Sequence, residues 1–326
     1  MTNGDYEYLK YVTNVENLRN TLSTFGVAII PSILDEQECS DMLSGMWDFF
    51  EHITSGWDIP IRRNEQDTWS QIYKLYPMHS MLFQHWSIGH AQVSWDLRQN
   101  EKLVDVFANF WNCNREDLLC SFDGASFNVP FEVTNRGYNR NNLWFHTDQS
   151  YTRNDFECVQ SWVTALDVNE GDATLAFLES SNNFHQVCRF QFEIEDKKDW
   201  YKLSREQEQF YMEECGCPYK KIKCPKGSLV LWDSRTIHCG VEGMRERPMQ
   251  NFRSVVYLCY SPRDICSSAN LKKKQKAFNE MRTTSHWPCK PKLFPVNPRT
   301  YGGPLPSITK IERPILSELG LKLVGF

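Results

Sequence analysis

The spacing of hydrophobic and polar positions changes along the chain, from helical before residue 118 to strand-like after it. Apolar residues recur every three or four positions over residues 15–25, after Asp35, and over residues 102–111, which predicts three amphipathic helices. Asp35 and Glu38 have the spacing of a capping box and predict the start of the second helix. Residues 27–30 form an apolar run of strand length.

Short apolar stretches separated by Gly, Asn and Pro turns fill the second part of the chain. The predicted strands are residues 118–129, 143–146, 159–166, 174–178, 228–232 and 254–260. Between them the charged residues 193–221 predict a surface helical insertion, and the tryptophan-rich residues 56–100 predict loop and short helix that could cover a site. Together these elements predict a mainly β fold, a sandwich or barrel with flanking helices.

The length and composition narrow the class of protein. The 326 residues leave one large domain or two smaller ones open. A content of 41% hydrophobic and 13% aromatic residues excludes disorder, and a net charge of -5 removes any global electrostatic case for binding nucleic acid. Residues 272–274, three consecutive lysines, are expected to be a solvated helix start rather than a nucleic-acid patch.

The twelve cysteines are expected to be free thiols in a reducing compartment. The first residues lack the pattern of a secretory signal, and no apolar run reaches the roughly 18 residues of a membrane span. We therefore expect a cytoplasmic protein without a membrane partner. A zinc site is disfavoured for four cysteines because their spacing lacks paired knuckles; they are Cys215, Cys217, Cys224 and Cys239.

The candidate chemistry begins with His146 and Asp148. On a strand, residues i and i+2 point to the same side, so one imidazole and one carboxylate project together. Such a pair is common by chance, and a strand histidine is often only a hydrogen-bonded structural residue. A second histidine, His238, follows the apolar stretch 228–232 and a polar turn, and Arg253 opens the last apolar stretch. Two histidines and one carboxylate on one face of a β scaffold are typical of non-haem Fe(II) oxygenases, and a nearby cation suits a dicarboxylate co-substrate.

In these residues the sequence resembles the phytanoyl-CoA dioxygenase-like branch of the Fe(II)/2-oxoglutarate oxygenases. The resemblance covers most of the chain and is carried by residues 25–31, 35–39, 146–148, Trp162, 172–175, 180–185, 227–238 and Arg253. It implies a double-stranded β-helix core (a jelly roll, cupin-like) with N-terminal helices and a helical insertion.

The resemblance also implies the cofactors and the site. His146, Asp148 and His238 are implied as iron ligands and catalytic residues. Arg253 is implied as the partner of the distal carboxylate of 2-oxoglutarate, although Arg245 and Arg247 also follow His238 and stay open. Trp162 resembles the family's aromatic residue beside the co-substrate, and core packing is the alternative. Fe(II), 2-oxoglutarate and dioxygen are the expected cofactors and co-substrates.

Other residues keep open interpretations. His185 lines the cofactor end of the site or caps a turn, and Gln149 and Tyr151 face either substrate or solvent. The remaining histidines are expected to be structural or on the surface; they are His52, His79, His85, His90 and His286.

The resulting expectation is a hydroxylase acting on a C–H bond of a small molecule. The presence of Asp148 supports hydroxylation, because halogenases of this fold carry a small residue there. The alternatives are an oxygenase acting on a protein or nucleic acid, supported only by the basic and aromatic residues 272–287, and a non-catalytic cupin-like metal-binding protein.

Because both parts of the site must converge, residues 1–326 are predicted to form one domain: helical support to about 117, core about 118–262 and an extension about 263–326. The oligomeric state is left open.

Overall fold

The structure is a computed structural model that describes residues 5–140 and 142–326. Its strands are β1 (Asp5–Glu7), β2 (Val27–Ile30), β3 (Leu82–Phe83), β4 (Leu118–Cys120), β5 (Ala125–Asn128), β6 (His146–Thr147), β7 (Val159–Thr164), β8 (Thr174–Leu178), β9 (Tyr201–Lys202), β10 (Tyr219–Ile222), β11 (Leu229–Asp233), β12 (His238–Val241) and β13 (Arg253–Pro262). Its α-helices are α1 (Leu18–Phe25), α2 (Glu36–Ile53), α3 (Gln92–Arg98), α4 (Glu101–Trp111), α5 (Phe131–Thr134), α6 (His185–Gln191), α7 (Arg205–Gln209), α8 (Ser268–Asn279) and α9 (Glu318–Val324).

The strands form two sheets. The six-stranded sheet has the order β1-β10-β8-β12-β6-β9, and the seven-stranded sheet has the order β2-β11-β7-β13-β5-β3 with β4 also paired to β13. Every neighbouring pair of these strands is antiparallel except β1 and β10, which are parallel. The molecule is therefore rich in mostly antiparallel sheet, with helices packed against it.

Alternation along the strands explains the layers. On β2, Val27 and Ile29 belong to the apolar cluster that joins the seven-stranded sheet to β8 and β10 of the other sheet. Ala28 and Ile30 point the other way and pack with α1 to α4 in the largest cluster. The outer face of the six-stranded sheet is covered by residues of the 185–217 region. Successive side chains along a strand point to opposite faces, and both faces of each sheet are thus buried.

The N-terminal helices agree with the sequence predictions. Helix α2 begins after Asp35, whose carboxylate accepts the N–H of Glu38, while the Glu38 carboxylate accepts the N–H of Asp35. This is the predicted capping box. Strands β1, β2 and β3 also lie in the sheets, although they precede residue 118.

The predicted strand 118–129 is interrupted. The segment from Cys120 to Ala125 faces the β13 residues from Val256 to Tyr260 and is one residue longer, so the ladder breaks between β4 and β5. Gly124 lies in this break, where a Cβ atom would come 1.9 Å from the Phe83 carbonyl oxygen. Only glycine fits this close approach.

Two further segments differ from the predictions. The charged stretch 193–221 contains α7 and a π-helical turn at Phe210–Glu214, but it also supplies strands β9 and β10. In α8, Lys274 is buried and donates to the Cys120 carbonyl, whereas residues 272 and 273 are exposed. The prediction of a solvated lysine run is therefore wrong for Lys274, because its ammonium satisfies a strand carbonyl.

Every cysteine lies in the described residues and carries a free thiol. Among the helices that the structure describes, none has both the length and the apolar character needed to cross a bilayer.

His90 makes the free energy of unfolding depend on pH. Its Nε2–H donates to the Arg282 carbonyl, its Nδ1 faces the Trp95 indole N–H, and burial lowers its pKa to about 3. The unfolded chain takes up this proton near pH 6.5 and the folded protein does not, so stability falls as pH drops from 6.5 toward 3, by about 1.4 kcal/mol per pH unit. We expect His90→Gln to remove that part of the slope in urea unfolding at pH 4.5–6. His52→Gln, at an exposed position, is the control; an unchanged slope in His90→Gln would contradict the assignment.

Candidate metal centre

His146, Asp148 and His238 are brought together by neighbouring strands of the six-stranded sheet. His146 opens β6 and lies directly opposite His238, which opens β12. Asp148 follows β6, and its backbone N–H donates to the Ser234 carbonyl at 3.0 Å. The predicted i, i+2 relation between His146 and Asp148 is therefore realised at the place where His238 enters its strand.

The three side chains point their donor atoms at one point. The Asp148 carboxylate lies 3.6 Å from His146 Nε2 through Oδ1 and 3.2 Å from His238 Nε2 through Oδ2. One donor atom from each of the three residues lies within 4.8 Å of the others, and all three residues are buried. In the described part of the chain, this is the group of His, Cys, Asp and Glu side chains that can hold a metal ion. Its ligand types suit iron.

Backbone carbonyls fix both imidazoles in the form that binds metal. His146 Nδ1 lies 3.2 Å from the Trp144 carbonyl oxygen, and His238 Nδ1 lies 2.9 Å from the Thr236 carbonyl oxygen. A carbonyl only accepts hydrogen bonds, so each Nδ1 carries a proton, and Nε2 is the ring nitrogen that faces Asp148 and is placed to bind a metal ion. This arrangement is the usual support of metal-binding histidines.

The charges of the site also suit a cation. Burial lowers the pKa of His146 to about 3, which keeps the imidazole neutral. For Asp148, burial opposes ionisation, but His286 and the two neighbouring histidines outweigh it and hold the pKa below its usual value. The result is an ionised carboxylate beside the neutral imidazole of His146.

Gln160 holds the Asp148 carboxylate and was not singled out from the sequence. Its Nε2–H donates to Asp148 Oδ2 at 2.7 Å from strand β7. Gln160 lies two positions before Trp162, so strand alternation places both side chains on one face of the sheet. This alternation is the sequence signal that could have identified Gln160.

We expect Gln160→Leu to weaken iron binding by about 10- to 100-fold, because the carboxylate loses the donor that orients it. Anaerobic metal titration measures the effect. Ser161→Ala is the matched control, since Ser161 points to the opposite face and donates to the Leu258 carbonyl. Equal affinity in Gln160→Leu and wild type would show that Gln160 does not orient the ligand.

Arg253 is a buried cation without a carboxylate. It is 4% exposed, and its Nε and Nη1 atoms have no hydrogen-bond partner. Its guanidinium lies 5.5 Å from the centre of the Trp162 ring, and no carboxylate of the described residues pairs with it. A buried charge in this state calls for an anionic ligand.

The other two arginines that followed His238 in the sequence are placed differently. Arg247 forms ion pairs with Glu132 at 2.6 Å and Asp172 at 2.9 Å. Arg245 is exposed and lies over the Tyr138 ring at 3.7 Å. Of the three, Arg253 alone combines burial with unpartnered nitrogen atoms.

Further unpartnered polar atoms lie near Arg253 or near His238. Trp162 is fully buried in the inter-sheet cluster, and its indole N–H has no partner. The same holds for the indole N–H of Trp232, whose ring centre lies 5.4 Å from that of His238. The Asn128 side-chain oxygen, on the strand paired with Arg253, is also unpartnered. Donors and an acceptor of this kind fit a small polar ligand between the metal centre and Arg253.

The residues that follow Asp148 in the chain mainly stabilise the loop that they form. Gln149, fully buried, accepts from Ser234 and donates to two loop carbonyls, and Tyr151 is fully buried against Tyr211. The expectation that Gln149 and Tyr151 face substrate or solvent is therefore wrong. His185 stacks on Tyr151 and contacts the Gln149 carbonyl at 3.2 Å, which places it against this loop.

Two regions approach the centre in ways that the sequence did not predict. His286, expected to be structural or on the surface, comes from the C-terminal extension, influences Asp148, and has a buried Nε2 without a partner. In the segment 56–100, Trp69, Trp86 and Trp95 belong to the main core. From that segment, His79 has its ring 4.9 Å from that of Trp144, and the Ser80 N–H donates to Glu242 just after β12.

Comparisons with known proteins find solved structures of similar fold and a distant relative in sequence. No protein-family model matches the chain. A curated relative, Ava biosynthesis cluster protein O of Aspergillus versicolor, is 26% identical over 213 residues, which cover 63% of this chain and 65% of that protein, just under two thirds of its length. The crystal structure of the hypothetical protein JW0805 of Escherichia coli has a TM-score of 0.64 with 14% identity, covering 98% of this chain and 86% of that one. This likeness is one of fold.

A further solved structure is the epimerase SnoN, described as a complex with Fe3+, alpha ketoglutarate and nogalamycin RO. It is 12% identical, covers 76% of this chain and 83% of its own, and has a TM-score of 0.45. A TM-score of this size does not establish a common fold.

Proposed function

We propose that this chain is a non-haem Fe(II)- and 2-oxoglutarate-dependent dioxygenase that hydroxylates a C–H bond of a small molecule. Its two sheets would be the double-stranded β-helix of the phytanoyl-CoA dioxygenase-like branch. The whole chain would act as one unit, with residues 1–117 and 263–326 supporting a core at 118–262.

The observation that carries the proposal is the buried set of His146, Asp148 and His238. The Nε2 atoms of two imidazoles and one ionised carboxylate face the same point, with these donor atoms within 4.8 Å of one another. Three protein ligands of this kind leave open positions on an octahedral iron ion, which is what a co-substrate and dioxygen require.

The surroundings of Arg253 support 2-oxoglutarate as the co-substrate. The guanidinium is buried and its Nε and Nη1 atoms have no partner, so a carboxylate bound there would supply the anion that it lacks, in a charge-assisted contact. The indole N–H groups of Trp162, whose ring lies beside Arg253, and of Trp232, whose ring lies beside His238, have no partner and would be donors for the remaining oxygens of a small dicarboxylate. The residues present therefore fit both the metal and the co-substrate.

When bound, iron and 2-oxoglutarate supply the oxidising chemistry in which dioxygen is consumed, 2-oxoglutarate yields succinate and carbon dioxide, and a substrate C–H bond is hydroxylated. The chain contributes position and charge. Asp148, oriented by Gln160, supplies the negative ligand, and Arg253 would neutralise the distal carboxylate. The buried apolar cluster around Trp162 would exclude water from the bound co-substrate.

The proposal predicts slow succinate formation from 2-oxoglutarate and dioxygen even without a primary substrate. Chelation of the metal is expected to abolish it and Fe(II) to restore it, because the three ligands would hold a removable ion. Succinate is measured against time in the apo and reloaded protein. Iron binding without any succinate would favour the alternative of a non-catalytic cupin-like metal-binding protein.

A macromolecular substrate receives less support. Of the three lysines at 272–274, Lys274 is internal, so the C-terminal extension offers a weaker basic surface than the sequence suggested.

The free thiols are in keeping with a cytoplasmic location, which we also propose. A screen for small molecules that stimulate succinate release would identify the substrate.

A further inference from the structure

The 193–204 segment reaches the metal centre through a strand that the sequence did not predict. β9 pairs with β6, so that Lys202 lies opposite His146 and Tyr201 opposite Thr147. The pairing continues when the Leu203 N–H donates to the Phe145 carbonyl at 2.9 Å. The segment is thus fixed to the strand that carries a metal ligand.

A second set of contacts fixes the same segment on its N-terminal side. Ser150 Oγ donates to the Asp196 carbonyl at 2.8 Å, and the Asp199 carboxylate accepts from the Arg153 guanidinium. Both partners belong to the loop that follows Asp148. Trp200, between these contacts and β9, therefore has a defined position beside the site.

Trp200 contacts the metal-ligand histidine yet remains half exposed. Its ring centre lies 5.5 Å from that of His146, and 51% of the residue is exposed. On the same histidine Trp144 stacks at 4.7 Å with the rings 8° apart, but Trp144 is anchored by its indole N–H to the Gly240 carbonyl at 3.0 Å. A large aromatic ring held at the centre and left open to solvent is a surface for a ligand.

We propose that Trp200 is a specificity-determining residue that stacks against a flat aromatic ring of the primary substrate. The inference rests on the proposed oxygenase function, since it assigns a wall of the same site. The aromatic row formed by Trp144, His146 and Trp200 favours a planar ring, because offset or edge contacts between rings add to the area that they bury. A purely structural Trp200 would instead support the His146 ring.

The test compares 2-naphthol with its saturated analogue decahydro-2-naphthol, which shares its skeleton and hydroxyl group. Affinities are measured by ligand-observed NMR on the full chain, without metal and again with Co(II) and 2-oxoglutarate. We expect wild type to prefer 2-naphthol by about tenfold. Trp200→Ala is expected to remove the preference and Trp200→Phe to retain part of it. Phe190→Ala, a 66% exposed aromatic of α6, is the matched control and should leave the preference intact.

Co(II) affinity separates the two roles of Trp200. A substrate wall predicts that Trp200→Ala binds Co(II) within about threefold of wild type, whereas a support of His146 predicts a loss of about tenfold or more. Equal affinity of wild type for the two probes, a preference that survives in Trp200→Ala, or a matching loss of Co(II) affinity would each overturn the proposal. If the chain binds neither Co(II) nor 2-oxoglutarate, the oxygenase proposal fails, while the ring preference is still measured on the metal-free protein.

Discussion

Asp148→Ala is expected to reduce succinate formation by at least about 100-fold, because metal-dependent stabilisation amounts to several kcal/mol. The substitution removes the single negative ligand and leaves only the two histidines to hold a divalent ion. It also leaves the Gln160 amide, now 2.7 Å from the carboxylate, without its acceptor. Iron content and succinate release should fall together.

A matched pair of variants separates this effect from misfolding. Asp148→Asn keeps the side-chain volume and an oxygen for Gln160, so the protein should fold while iron affinity still falls. Asp172→Asn removes another buried carboxylate, one that binds Arg247 and Asn251, and should lower stability but not iron affinity. Asp148→Ala protein that turned over 2-oxoglutarate as wild type does would show that the site is assigned to the wrong residues.

The parts of the fold that could be predicted from sequence are those specified locally. The capping box at Asp35 and Glu38 fixes the start of α2 with bonds inside one turn. The alternation of β2 already separates Val27 and Ile29 from their neighbours, and the same rule places His146 with Asp148. Local periodicity is enough for these features because neighbouring residues determine them.

Features that depend on distant partners were not predictable. β9 has two residues in a charged stretch, and it exists because β6 offers an open edge 56 residues earlier in the chain, at the pair formed by His146 and Lys202. Lys274 is buried since a strand carbonyl at Cys120 receives its ammonium, which a run of lysines does not reveal. The role of Gln160 depended likewise on knowing that β7 passes beside Asp148.

Arg253→Met is expected to raise the 2-oxoglutarate concentration for half-maximal succinate formation by about 100-fold. Loss of a charge-assisted, bidentate contact costs roughly 3 kcal/mol, and each 1.4 kcal/mol is tenfold in affinity. The kinetic signature is a large rise in KM for 2-oxoglutarate with a smaller change in kcat at saturation. Arg245→Met, at an exposed site over Tyr138, is the control and should keep the wild-type KM.

The free energy of unfolding gives an independent test of the co-substrate role of Arg253, because Arg253→Met should stabilise the ligand-free protein while it weakens 2-oxoglutarate binding. Because Nε and Nη1 of Arg253 are buried without partners, Arg253→Met should raise the unfolding free energy of the ligand-free protein, by about 1–2 kcal/mol. Arg247→Met should lower it, since Glu132 and Asp172 would lose their cation. At 2-oxoglutarate 100 times above its Kd, wild type should gain about 2.7 kcal/mol and Arg253→Met almost nothing. A structural arginine would show the reverse in the ligand-free protein, so a lower melting temperature with an unchanged KM would exclude the co-substrate role.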